Sequence, residues 1–205
     1  MQQSNSSIIW KDARTVFTTN QLALLLGETS TTLVAKRMYY FVHSGQLLSL
    51  QRGVYAKPGY NPEELACVLQ VPCYLSLEYV LQKAGIVFQY DTTLTAVSFR
   101  NRLLEVGGHA IQYRQMRGEL MADMRGIRNI GNINIATPER AFLDTLYLNA
   151  QYHFDNLHPL DRKVVQDLLP LYQSERMNER VKAMFNVKWS KMREKYIFLQ
   201  KNLRI

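Results

Sequence analysis

Glu139 and Asp144, in "TPERAFLDTL", are the two carboxylates that come nearest to a general acid and base. They stand five residues apart, which places them on different faces of a helix, and acid–base chemistry needs two converging groups. Glu139 reads instead as a first-turn charge favoured by the helix dipole, and Arg140 as a base able to pair with an acid in the core. His43, His109, His153 and His158 are scattered without the spacing of a helical metal pair, and no glycine-rich stretch has the form of a phosphate-binding loop. The Gly-x-Ser-x-Gly elbow of a serine hydrolase is absent. Cys67 and Cys73 lie among no clustered histidines and carry no signature of an activated nucleophile, so they read as buried free thiols with no disulfide to be assumed. These residues imply no enzyme, no metal and no cofactor.

Binding chemistry is better represented. In "TSTTLVAKRMYYFVHSG", Val34, Met38, Phe41 and Val42 recur at helical spacing and predict one core-facing stripe. The opposite side then shows Thr31, Thr32, Ala35, Lys36 and Tyr39, with Arg37 and Tyr40 at its border. Small hydroxyls at the start of a helix and a base one turn later suit the major groove of DNA, where the backbone must come close before longer side chains reach bases or phosphates. Arg52, at a hairpin tip, and Lys57, just beyond it, would meet the phosphate backbone.

The elements that must position these groups are legible on either side. "TVFTTNQLALLLG" predicts a short packing helix with Thr18 or Thr19 as its cap, Leu22, Leu25 and Leu26 on one face, and Gly27 as its stop. "ETS" then turns the chain into the Thr31 helix, and Gly45 suits that helix's C-terminal cap. The apolar stretch from Leu47 to Leu50 and the segment Val54–Ala56 flank Gln51-Arg52-Gly53, a hairpin whose glycine supplies positive φ. Two helices joined by a tight turn and followed by a basic-tipped hairpin describe a winged helix-turn-helix.

"KPGYNP", with two prolines and a glycine, marks the expected boundary. Beyond it, "PEELACVLQVP" and "YLSLEYVLQKAGI" each predict a helix, the second capped by Ser76. "LTAVSFR" and "HAIQYRQM" predict strands, and "INIATPERAFLDTLYL" predicts a strand leading through Thr137-Pro138 into a helix. Helical segments follow around "PLDRKVVQDLLPLY" and around residues 174–185. The expected architecture is α+β: a winged helix-turn-helix domain over residues 1–60, then a mixed α+β domain over 61–205 with a helical C-terminal part.

Charge divides along the same lines. Residues 1–60 hold six bases and two acids, a net of +4; residues 61–150 hold eight and nine, a net of −1; residues 151–205 hold eleven and six, a net of +5. The chain's overall charge of +8 allows a polyanionic partner. In the tail, Lys188, Lys191, Arg193, Lys195, Lys201 and Arg204 surround Trp189, Tyr196 and Phe198, a pattern that fits either a basic helix docked by its apolar stripe or a second surface for phosphates or an acidic partner. Ile8-Ile9-Trp10 is too short for a signal-peptide core, and no run reaches the ~18 apolar residues of a membrane span, so a cytoplasmic protein is expected.

Three stretches taken in order, "SGQLLSLQRGVYAKPG", "YLSLEYVLQKAGI" and "IATPERAFLDTLYL", resemble the AbiEi-type antitoxin family of type IV toxin–antitoxin systems, over roughly residues 15–185. The resemblance implies an amino-terminal winged helix that binds double-stranded operator DNA and represses its own operon, then a domain that counteracts a nucleotidyltransferase toxin. It carries operator contacts onto Thr31, Thr32, Lys36, Arg37 and Arg52. The alternatives are a stand-alone winged-helix regulator without a toxin and a DNA-processing nuclease.

Overall fold

The computed structural model describes residues 5–185. Local rules shape its amino-terminal elements. After helix α1 (Asn5–Lys11), strand β1 (Val16–Thr18) runs directly into α2 (Thr19–Leu25). Thr18 both ends the strand and caps the helix: its hydroxyl accepts from Gln21 N at 3.2 Å, and Gln21 Oε1 accepts from Thr18 N at 2.8 Å, a reciprocal capping box. Gly27, at φ 62°, turns the chain toward Ser30, which accepts from Leu33 N and caps α3 (Thr31–His43). Val34 and Met38 of α3 are wholly buried against Ile9, Phe17, Leu22 and Leu47. Gly45, at φ 72°, lets Gln46 N and Leu47 N both reach Phe41 O, at 2.9 and 3.1 Å.

Strands β2 (Leu48–Gln51) and β3 (Val54–Ala56) follow, joined by Arg52-Gly53 with Gly53 at φ 78°. The antiparallel sheet has the order β1-β3-β2, with Val16 opposite Ala56. The strand Val16–Thr18 precedes the helix that the sequence predicts, and Thr18 is one of the two caps expected for it. Pairing with β3 buries Val16 and Phe17 completely, and three such residues have no helical preference strong enough to resist that burial.

The second sheet has six strands: β4 (Cys73–Leu75), β5 (Leu94–Ser98), β6 (Arg102–Val106), β7 (His109–Gln115), β8 (Ile127–Ile130) and β9 (Ile133–Ala136). Their order is β6-β7-β5-β4-β9-β8, with β5/β7 and β4/β9 parallel and the other neighbours antiparallel. Helices α4 (Pro62–Leu69), α5 (Glu78–Lys83), α6 (Gly118–Ala122), α7 (Pro138–Leu148) and α8 (Arg162–Leu168) accompany it, then a 3-10 turn (Leu169–Tyr172) and α9 (residues 175–185). The described residues thus form a mixed α+β structure with two sheets. Tyr74 and Leu75, expected in a helix, belong to β4 instead, because that strand lies between β5 and β9 and is buried along its whole length. Ser76 caps nothing; α5 begins after Leu77, which has φ 60°.

One core cluster gathers Leu81, Val97, Phe142, Leu146, Val165 and Tyr172. A second brings Val16, Val54 and Ala56 of the small sheet against Leu65, Leu75, Ile111 and Tyr113. Polar contacts also cross residue 60: Glu64 Oε2 accepts from Thr15 N and Thr15 Oγ1 at 2.8 and 2.6 Å, and Tyr60 donates to Gly107 O at 3.1 Å. The basic tail with Trp189, Tyr196 and Phe198 lies outside the described residues. Among those described, no helix is long and apolar enough to cross a membrane.

Candidate nucleic-acid interface

With Val34 and Met38 inside, the helical period turns Thr32, Ala35, Lys36 and Tyr39 of α3 outward, and all four are exposed. Thr31 is the first residue of the helix. Tyr39 stacks on His43, one turn later, with ring centroids 6.0 Å apart and planes 4° from parallel, and meets Tyr40 edge-on at 5.7 Å. Arg37 sits at the border and pairs with Glu28 at 3.2 Å, which fastens the first half of α3 to the turn before it. Across from this helix, Ser49 and Tyr55 of the hairpin join Ala35, Met38, Tyr39 and Val42 around one open depression of about 300 Å³. Arg52 is exposed at the hairpin turn. Among the described residues, neither Lys36 nor Arg52 takes part in an ion pair, so both cations face water.

Lys57 does not join that surface. Only 7% exposed, it donates from Nζ to Asp12 O at 2.6 Å and to Trp10 O at 3.5 Å, and its ammonium lies over the Trp10 and Phe17 rings. Burial pushes its pKa below the ordinary lysine value, against the opposing pull of Asp12 and Glu64. Lys57 therefore fastens the segment after α1 to the end of β3, in place of the phosphate contact expected from its position. Lys57→Ala should lower the free energy of unfolding by about 1.5–3 kcal/mol, the range for hydrogen bonds made by a charged group. Urea denaturation reads that loss.

The remaining chemical candidates are engaged elsewhere. Asp144 is completely buried in α7 and pairs with Arg140 at 3.2 Å, also completely buried, one turn earlier. Its Oδ1 also accepts from Tyr172 at 2.6 Å, and Oδ2 accepts from Ser76 at 2.8 Å and Tyr74 at 3.0 Å. Burial pushes this carboxyl upward, while Arg140 and the three hydroxyls pull the other way. The Arg140 guanidinium donates onward to Leu120 O at 2.7 Å and Arg125 O at 3.0 Å. Glu139 Oε1 accepts from Asp161 N at 3.2 Å, tying α7 to the cap of α8. The two carboxylates do not converge, and the closed network around Asp144 offers a reactant no access; Arg140 has found the core acid that the sequence suggested for it.

His43 belongs to the α3 surface, His109 meets Tyr60 edge-on at 5.9 Å, His153 lies 3.8 Å from Asp155, and His158 is exposed. No cluster of three or more metal-ligating side chains occurs among the described residues. The sequence reading omitted Ser49, Tyr55 and His43 from the α3 surface. The four-residue spacing of Tyr39 and His43 was the available signal for the last, whereas the hairpin residues reach α3 only through tertiary packing. No protein-family model and no curated protein matches the chain.

Proposed function

We propose that the chain is a transcriptional repressor whose amino-terminal part, about residues 1–60, is a winged helix that binds double-stranded operator DNA. The observation that carries this reading is the shared depression between α3 and the β2–β3 hairpin, with Lys36 on the outer side of the helix and Arg52 at the hairpin turn, neither in an ion pair among the described residues. A helix in the major groove and a cationic loop on the adjacent backbone divide the work into base reading and phosphate anchoring. Thr31 and Thr32 stand at the helix start, where the duplex backbone comes closest. Titrating the full chain with its own upstream DNA at several salt concentrations tests the reading. In Arg52→Ala, all sequences should weaken nearly equally and the salt slope should fall by about one, the signature of one lost phosphate contact; an unchanged slope would remove the hairpin from the interface.

The part beyond about residue 61 is proposed to counteract a nucleotidyltransferase toxin, a reading supported by the resemblance of the three ordered stretches to AbiEi-type antitoxins. Co-expression with a nucleotidyltransferase from a neighbouring reading frame is the test. Rescue of growth by the full chain supports antitoxin activity, and arrest despite soluble protein leaves a repressor without that role.

A further inference from the structure

The middle of the outward side of α3 carries methyl and hydroxyl groups where a purely phosphate-binding helix would carry charge. Thr32, Ala35 and Tyr39 follow one another there at spacings of three and four residues, and all three are exposed. Seven residues of helix rise about 10 Å, the length of roughly three base-pair steps. Ala35, near the centre of that line, also lines the depression shared with Met38, Val42, Ser49 and Tyr55. Among the described residues, the hydroxyls of Thr32, Tyr39, Ser49 and Tyr55 make no hydrogen bond within the protein. Lys36 follows directly and is in no ion pair among the described residues, whereas Arg37 is held by Glu28 at 3.2 Å.

Resting on the winged-helix reading above, we propose that Ala35 is a specificity-determining residue of α3, receiving the C5-methyl group of a thymine in the major groove. That methyl is the apolar group on the major-groove edges of the bases, where the other features are hydrogen-bond donors and acceptors. An alanine side chain can neither donate nor accept, so it favours thymine over cytosine, which has a bare C5–H at the same place. Thr32, one turn earlier, adds a second methyl and a hydroxyl able to donate to thymine O4 or adenine N7. Lys36 is then placed for N7 and O6 of a guanine in a neighbouring pair. The preferred operator therefore carries a thymine beside a guanine, and the cations Lys36 and Arg52 complement the charge of the surrounding backbone.

The test titrates the full chain with its own upstream DNA, each thymine of the protected segment being replaced in turn by deoxyuridine. That change removes one methyl group and leaves the base pairing intact. At one or two positions the native protein should lose about fourfold in affinity, the factor expected for one methyl group returned to water. Ala35→Gly should show a similar loss on the thymine DNA and no further loss on deoxyuridine at that position, because the two methyl groups act as a pair. Native protein that prefers the upstream DNA to unrelated DNA but ignores every deoxyuridine would overturn the proposal and leave the repressor reading standing, whether or not the variant folds. Absence of any preference for the upstream DNA would remove both. A deoxyuridine penalty undiminished in Ala35→Gly would also overturn the proposal, since the methyl group would then act through another residue or through the shape of the duplex.

Discussion

Asp144→Ala is expected to lower the free energy of unfolding by about 3–5 kcal/mol, the cost of removing one partner from a buried ion pair. The side chain it removes is fully buried and serves four donors: the Arg140 guanidinium and the hydroxyls of Tyr74, Ser76 and Tyr172. Arg140 would keep its carbonyl acceptors on Leu120 and Arg125 but lose its counter-charge, and three hydroxyls would lose an acceptor in a region closed to water. Those donors come from β4, the turn after it, α7 and the 3-10 turn, so the loss would reach several elements at once. Asp144→Asn should cost less, because an amide oxygen still accepts from two of the donors. Urea midpoints and slopes for the two variants give the comparison; an Asp144→Ala protein within about 1 kcal/mol of the parent would mean that backbone carbonyls alone suffice for the guanidinium.

Lys36→Ala is expected to cost about 1–3 kcal/mol of operator affinity if its ammonium reaches a base edge. Unlike the loss in Arg52→Ala, this one should depend on sequence: the penalty should be large on the preferred operator, small on unrelated DNA, and greatest at one base position. Lys36 is suited to that role because it is exposed on the second turn of α3 and forms no ion pair among the described residues, whereas Arg37 next to it is held by Glu28. Adding Tyr39→Ala removes the ring stacked on His43, one turn beyond Lys36 on the same side of the helix, and should deepen the loss without unfolding the protein, since neither side chain belongs to the Val34–Met38 stripe. Competition titrations against unrelated DNA decide the matter, and an equal loss on both DNAs would reassign Lys36 to a phosphate.

The parts of the fold that were legible in the sequence are those written by short-range rules. The period of Val34 and Met38, the glycines at 45 and 53, and the Thr137-Pro138 start of α7 each encode an element within a few residues of itself. Strands β1, β6 and β8 were not legible, because each has five residues or fewer and takes its state from a partner strand. "YLSLEYVL" suits a buried strand as well as a helix, and only its place between β5 and β9 decides the first half. At the candidate interface, the outward residues of α3 followed from the inward ones. Lys57 did not, since its carbonyl partners Trp10 and Asp12 lie more than forty residues away. The same holds for Asp144, whose pairing with Arg140 is local but whose hydroxyl donors Tyr74 and Ser76 lie 70 and 68 residues off.

The bond between Thr15 and Glu64 spans 49 residues of chain, and that distance has a meaning on the ribosome. At ~5–20 residues per second, Thr15 emerges roughly 2–10 s before the carboxylate that will hold it. From Ala56 to Leu65 is nine residues, roughly 0.5–2 s at that rate, and over that shorter span Val16, Val54 and Ala56 have no Leu65 or Ala66 to cover them, so the small sheet waits with an apolar side open. Synthesis of α4 supplies Leu65 and Ala66, and the later strands that carry Leu75, Leu94, Ile111 and Tyr113 complete the cover.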